Sequence, residues 1–111
     1  MNKYLLVVNS NPTDGNEAAY NDWYTNVHLS EMLQVPGFMA AQRYKFSDMS
    51  AAGDPPDHKY MAVYEMETDT PQVSLDVLLD DVANRMDMSE AIDMENLSAH
   101  LYGPITERVT E

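Results

Sequence analysis

The sequence predicts a single α+β domain in which two helices cover one face of a four-stranded antiparallel sheet. The chain has 111 residues, which is enough for one hydrophobic core but too few for two. Four segments have the composition or alternation of strands, and two have the periodicity of amphipathic helices. Glycine- and proline-containing turns separate these segments. The resulting order is βαββαβ.

The first strand and the first helix are predicted between residues 3 and 28. Lys3–Ser10 carries apolar residues at both odd and even positions, which indicates a strand buried on both faces. Turn residues follow, and Asp14 and Glu17 have the spacing of a capping box, so a helix should begin near position 15. The helical wheel then gathers one aromatic stripe with a histidine at its edge: Tyr20, Trp23, Tyr24, Val27 and His28.

Two strands follow this helix, separated by a loop. Residues 38–46 alternate in the manner of a strand, 47–57 form a loop with Gly53 and a proline pair, and 58–67 form the third strand. The alternation directs Arg43 away from the helices and towards the opposite sheet face. The side chains whose parity points towards the helices are three tyrosines: Tyr44, Tyr60 and Tyr64.

The second helix and the fourth strand complete the pattern. Thr70-Pro71 opens the helix, with proline just inside its start. Its expected buried stripe consists of Leu75, Leu78, Leu79, Val82 and Met86. The fourth strand is predicted over His100–Val109, interrupted by Gly103-Pro104. This order of elements is the ferredoxin-like arrangement.

The first and third strands carry apolar residues on both faces, whereas two helices can cover only one. Leu5 and Val7 alternate with Leu6 and Val8, so the uncovered face of the sheet would expose an apolar patch. A second copy of the same sheet is the simplest cover. We therefore expect a homodimer packed through the sheet face.

Composition excludes several classes of function. Nineteen acidic and six basic residues give a net charge of −13, which repels nucleic acids and anionic membrane surfaces. There are no cysteines, so disulfides, thiolate metal sites and a cysteine nucleophile are excluded. No apolar run approaches the roughly 20 residues of a membrane span, and no signal peptide is recognisable, so a cytoplasmic location is expected.

Two motifs resemble a known family. They are Trp23-Tyr24-x-x-x-His28-x-x-Glu31-Met32-Leu33-x-Val35-Pro36-Gly37-Phe38 and Leu101-Tyr102-Gly103-Pro104-Ile105-Thr106. Together with the element order, they resemble the EthD-like proteins of the dimeric α+β-barrel superfamily. The resemblance implies a dimer with a pocket between the helices and the sheet of each subunit. Members of this superfamily include cofactor-free monooxygenases, dehydratases, lactone isomerases and haem-binding degraders.

His28 is the candidate catalytic residue, because an imidazole titrates near neutral pH and suits proton transfer. The alternative is a structural role, in which His28 packs at the end of the helix. The candidate substrate-binding side chains are Trp23, Tyr24, Tyr44 and Tyr64. Trp23 would wall the pocket or belong to the core, while the phenols of Tyr24 and Tyr64 would bind a substrate oxygen. His28 and Glu31 have the spacing of two metal ligands, but no third ligand is recognisable, so no metal site is predicted.

These residues favour a small cofactor-independent enzyme that moves a proton on a hydrophobic aromatic or polyketide-like molecule, as a dehydratase, isomerase or lyase does. No glycine-rich phosphate loop is present, and no cofactor is expected. Two alternatives stay open from the sequence. One is a non-catalytic module that binds a small molecule or stabilises a partner enzyme, and the other is a cofactor-free monooxygenase.

Overall fold

The computed structural model describes residues 1–111 and contains one four-stranded antiparallel sheet. Its strands are β1 (Asn2–Ser10), β2 (Phe38–Lys45), β3 (Tyr60–Thr68) and β4 (Ser98–Tyr102). They lie in the order β2-β3-β1-β4, so β2 and β4 are the edge strands. The predicted α+β, ferredoxin-like fold class is confirmed.

The first helical region consists of three parts. Helix α1 (Glu17–Trp23) continues into a π-helical segment (Tyr24–His28), and helix α2 (Leu29–Met32) follows directly. The capping box is not formed: Asn16 occupies the N-cap position without a side-chain cap hydrogen bond. The Glu17 carboxylate instead accepts a hydrogen bond of 2.6 Å from Tyr60 Oη. The helix therefore begins two residues later than predicted.

The second helical region is helix α3 (Pro71–Asn84), which begins with proline as predicted. Ser74 and Leu78 are buried and define the face of α3 that lies on the sheet. The prediction was wrong for Leu79, whose side chain is 67% exposed. Consecutive helix residues differ in direction by about 100°, so Leu79 points away when Leu78 points inwards.

A β-bulge at Met39 changes which side chains of β2 face the helices. Phe38 pairs with Met66, but Ala40 already pairs with Glu65, so Met39 is an extra residue in β2. One inserted residue reverses the faces of all side chains that follow it. The parity predicted for β2 is therefore wrong after Met39: Arg43 faces the helices, and Tyr44 faces the opposite side of the sheet.

Gly37, just before β2, lies close against Ser74 of α3. Its φ of +94° lies in the region that favours glycine. A Cβ atom at this position would lie 2.9 Å from Ser74 Oγ. The Gly37 carbonyl also accepts a 2.8 Å hydrogen bond from the Glu67 amide. Glycine is thus required here by both backbone conformation and space.

The two faces of the sheet differ in burial. The face beneath the helices holds the core, with eight buried side chains from β1 and β3: Leu6, Val8, Ser10, Tyr60, Ala62, Tyr64, Met66 and Thr68. The opposite face, called the outer face below, is lined by Leu5, Val7, Met61 and Val63 from the same strands. Leu5 is 42% exposed, so an apolar surface is left uncovered in the single chain.

The fourth strand is shorter than predicted. β4 ends at Tyr102, and residues 103–111 make no ladder with the sheet. The prediction of a strand reaching Val109 is wrong, since Pro104 has no amide to donate to a neighbouring strand. A short 3₁₀ helix, Met94–Asn96, precedes β4. None of the helices combines the length and the apolar composition needed to cross a membrane.

Candidate functional site

The π-helical segment determines which side chains of the first helical region meet the sheet. Four side chains spaced by four residues are all buried: Tyr20, Tyr24, His28 and Met32. In a regular α-helix each four-residue step advances by about 40°, so the fourth side chain would turn away from the first. The wider turn of the π segment compensates for this drift. Such segments are rare and frequently occur at functional sites.

His28 packs between two aromatic rings and one carboxylate. Its ring stacks on Trp23, with ring centroids 4.6 Å apart, and meets Tyr24 edge to face at 5.1 Å. Its Nδ1 atom lies 3.4 Å from Glu31 Oε1, a long contact. Burial lowers the pKa of His28 below its ordinary value, while Glu31 acts in the opposite direction. The imidazole is therefore neutral at pH 7.

Asp87, a residue that follows α3, fixes the two groups that flank His28. The Asp87 amide donates a 2.7 Å hydrogen bond to Glu31 Oε2. The Asp87 carbonyl accepts a 2.6 Å hydrogen bond from Trp23 Nε1. The carboxylate beside His28 Nδ1 and the indole beneath its ring are thus held in place together.

The second nitrogen of His28 has no protein partner. Only Nδ1 makes a polar contact, and this contact is with Glu31. No buried side-chain nitrogen or oxygen in the structure lacks a hydrogen-bond partner. Nε2 therefore keeps some contact with solvent, although the residue as a whole is only 6% exposed. With Nδ1–H directed to Glu31, Nε2 carries the lone pair that can accept a proton.

Two buried phenols lie beside the histidine. Tyr64 Oη donates to Tyr24 Oη over 3.4 Å. Burial raises the pKa of Tyr24 to about 12 and raises the pKa of Tyr64 well above its usual range. Both phenols are therefore protonated at neutral pH and available as hydrogen-bond donors.

Arg43 is a member of this cluster that the sequence did not reveal. Its guanidinium donates hydrogen bonds of 2.9 Å to Thr25 Oγ1 and to Asn21 Oδ1. The guanidinium carbon also lies 4.5 Å from the centre of the Tyr24 ring. The predicted direction of Arg43, towards the opposite sheet face, was wrong, because the bulge at Met39 directs it under α1. A one-residue bulge has no compositional signal from which this could be found.

The structure brings together most of the predicted site residues. His28, Trp23, Tyr24 and Tyr64 form one contiguous cluster, called the aromatic cluster below, with Glu31 and Arg43 at its borders. Tyr44 is not part of it, because this residue lies on the outer face and is 45% exposed. The aromatic cluster is closely packed, with Tyr24 only 2% exposed and Tyr64 fully buried.

Two surface clefts lie away from the aromatic cluster. The larger, of about 650 Å³, is formed by the starts of β1 and β2, the end of β3 and the segment 102–108. The smaller, of about 210 Å³, lies beside Tyr44 and His58. Neither cleft is lined by His28, Tyr24 or Arg43. No group of three His, Asp or Glu side chains is placed to hold a metal ion.

Comparison with known proteins finds similarity in structure but not in sequence. No protein-family model matches the sequence, and no curated protein matches it. Among solved structures, an EthD-family protein from Bacillus halodurans C-125 aligns with a TM-score of 0.60 at 14% identity, over 95% of this chain and all of that one.

Two further structures have similar agreement. SnoaB, a cofactor-independent oxygenase from Streptomyces nogalater, aligns with a TM-score of 0.58 at 14% identity, over 96% of each chain. MhuD, a heme degrader from Mycobacterium tuberculosis, aligns with a TM-score of 0.63 at 11% identity, over 96% of this chain and 99% of that one. At such identities the agreement concerns the fold. This chain therefore has the ferredoxin-like fold that EthD-family proteins and these oxygenase and heme-degrader structures share.

Proposed function

We propose that the protein is a small cofactor-independent enzyme in which His28 removes a proton from a hydrophobic aromatic molecule. The observation that carries the proposal is the Glu31–His28 pair. Glu31 lies on the Nδ1 side of the imidazole, whereas Nε2 has no protein partner. A neutral imidazole with one nitrogen oriented by a carboxylate and the other unpaired is the arrangement of a general base.

Each neighbour of His28 has a role in this proposal. Glu31 orients the ring and stabilises the imidazolium that forms when Nε2 accepts a proton. The Asp87 amide holds Glu31 in position through its 2.7 Å hydrogen bond. The Tyr64 phenol, which donates to Tyr24 Oη when no substrate is bound, donates instead to the oxyanion that develops on the substrate once the Tyr24 ring has moved. Trp23 forms the floor beneath the imidazole.

Access to this site requires the Tyr24 ring to move. This ring meets the His28 ring edge to face at 5.1 Å and lies 4.5 Å from the Arg43 guanidinium carbon. We propose that an aromatic substrate displaces the Tyr24 ring and takes a similar place between the two groups. Because the aromatic ring of the substrate replaces the aromatic ring of Tyr24, little apolar contact is lost.

The fold is compatible with such chemistry, since SnoaB is a cofactor-independent oxygenase of the same architecture. Dehydration, isomerisation and cofactor-free oxygenation can each begin with removal of a proton from an activated carbon or a phenol. The proposal concerns this shared step. A non-catalytic module that only binds a small molecule would not accelerate it, and this difference provides the test.

The test is hydrogen–deuterium exchange of β-tetralone, an aromatic ketone with acidic C–H bonds, followed by NMR in D₂O. We expect the wild-type protein to accelerate exchange over buffer. Substitution of His28 by Gln should reduce this acceleration roughly 100-fold or more, the usual contribution of a general base. The matched control is His100→Gln, because His100 is exposed on β4. Equal exchange by folded wild-type and H28Q proteins would exclude His28 as the base.

We also propose that the outer face pairs with a second copy of the chain. Val7 pairs with Val63 at its middle, and Leu5 and Met61 flank them. Such an apolar surface is covered in most stable proteins. Light scattering at micromolar concentration should give twice the monomer mass. Val63→Asp should give the monomer, since a carboxylate would be buried without a partner. A monomeric wild-type protein would contradict this assembly.

A further inference from the structure

Arg43 differs from every other basic residue of this chain. The chain has six Lys and Arg residues, and Arg43 is the only one that is not exposed. Three of the exposed ones form ion pairs with carboxylates: Lys3, Lys59 and Arg85. Arg43 forms none, although the chain has nineteen acidic residues. Its charge is therefore held in a half-buried position without neutralisation.

The neighbours of Arg43 orient the guanidinium but do not neutralise it. Its two protein acceptors, Thr25 Oγ1 and Asn21 Oδ1, are uncharged. The rings of Tyr20, Tyr24 and Tyr60 surround the guanidinium carbon at 4.5–5.4 Å. These contacts fix the planar group in one orientation, which lowers the entropy lost when a further ligand binds.

The guanidinium has hydrogen-bonding capacity left over. It carries five N–H donors, of which two are directed to Thr25 and Asn21. Its Nε atom makes no hydrogen bond with the protein, and no buried side-chain nitrogen lacks a partner. Nε is therefore reached by solvent. The carboxylate of Glu17, on the same helix, already contacts Lys59 Nζ and Tyr60 Oη at 2.6 Å.

We propose that Arg43 is a specificity-determining residue that binds a carboxylate on an aromatic substrate. This inference rests on the function proposed above and names the class of molecule that the site takes. A guanidinium with free donors prefers planar anions, and carboxylates match its geometry. The Arg43 guanidinium lies over the face of the Tyr24 ring, and the His28 ring meets the same ring edge to face. A substrate that displaces the Tyr24 ring directs its carboxylate to the free donors of Arg43 and its acidic proton towards Nε2.

The test compares two probes of nearly identical shape, cinnamate and cinnamamide, by equilibrium dialysis at pH 7.5. We expect the wild-type protein to bind the anion at least roughly tenfold more tightly, as a hydrogen bond to a charged group implies. Arg43→Met should remove this preference. Lys45→Met is the matched control, because it removes one positive charge from the same strand and Lys45 has no ion pair. The Lys45→Met variant should keep the preference for cinnamate over cinnamamide.

Two further measurements separate recognition from a purely structural role. Arg43→Lys keeps the charge without the planar fork, and it should retain part of the preference. Raising the salt concentration should weaken cinnamate binding by the wild-type protein and leave cinnamamide unchanged, a readout that needs no variant. Salt-independent cinnamate binding, or an anion preference that persists in Arg43→Met, would overturn the assignment.

The outcomes also distinguish this inference from the function on which it rests. If the wild-type protein binds both probes equally, the role of Arg43 is refuted, while proton removal by His28 is unaffected. If it binds neither probe, the aromatic cluster does not admit an aromatic ring, and the proposed function fails together with this inference.

Discussion

The two helical regions lie on the same face of one sheet but bury different kinds of side chain. Helix α3 contacts the sheet through Leu78 and Ser74, with partly buried aliphatic side chains beside them. The region formed by α1, the π segment and α2 buries three aromatic rings and a histidine: Tyr20, Trp23, Tyr24 and His28. α3 thus has the composition of an ordinary core helix, whereas the first region contains the buried histidine and its carboxylate neighbour, His28 and Glu31.

The difference extends to hydrogen bonding. Three buried polar groups of the first region are tied to other parts of the chain: Tyr20 to Ser10 of β1, Tyr24 to Tyr64 of β3, and Trp23 to the Asp87 carbonyl after α3. An aliphatic helix can slide slightly at little cost, but directional bonds to three elements permit one placement. We infer that α3 mainly contributes stability and that the first region contributes a defined geometry.

The largest expected effect concerns α3. Leu78→Ala should lower the free energy of unfolding by about 2–4 kcal/mol, because it removes a side chain that is only 9% exposed. The neighbouring change Leu79→Ala should cost less than about 0.5 kcal/mol, since Leu79 is 67% exposed. Urea unfolding measures both. A comparable loss in the two variants would contradict the assignment of the buried face of α3.

A smaller effect is expected from the hydrogen bonds of the first region. Tyr20 Oη and Ser10 Oγ are 2.6 Å apart and buried. Tyr20→Phe should lower the free energy of unfolding by about 1–2 kcal/mol, because the Ser10 hydroxyl loses its partner. The double variant with Ser10→Ala should cost less than the sum of the single changes. Additive losses in urea unfolding would show that this bond does not fix α1.

The smallest effect is a dependence of stability on pH. The pKa of folded His28 lies below its ordinary value of 6.5 because burial disfavours the charged form. The unfolded state therefore binds more protons below this value, and stability should decline as the pH falls from about 6.5 towards the folded pKa. Unfolding in urea between pH 7.5 and 5 measures this decline. It should be shallower in His28→Gln, and an identical slope in both proteins would contradict the burial assigned to His28.

Much of the fold follows from local patterns. The strands, the loop after β2 and the proline start of α3 are visible in the alternation and in the turn residues. The bulge at Met39 is not visible in the sequence. One inserted residue leaves the composition of β2 unchanged, although it reverses the directions of Arg43 and Tyr44. The end of β4 at Tyr102 follows from Gly103-Pro104, because Pro104 has no amide to donate and the strand stops before it.

The candidate site was predictable in part. Tyr24 and His28 are four residues apart, so either an α-helix or a π segment places them on one face, and their proximity follows from the spacing. The π segment itself depends on tertiary packing, since Tyr20 and Met32 must both reach the core. Arg43 and Asp87 come from distant parts of the chain. Their approach depends on the register of β2 and on the path of the chain after α3.

The role of His28 as a base is tested most directly by the state of its imidazole, observed by NMR of protein labelled with ¹⁵N at histidine. We expect a pKa below 6.5 and, in the neutral form, the proton on Nδ1 beside Glu31 with a free lone pair on Nε2. Glu31→Gln should lower this pKa further, because the carboxylate favours the charged imidazole. A neutral ring protonated on Nε2, or a pKa at or above 6.5, would contradict the role of His28 as a base.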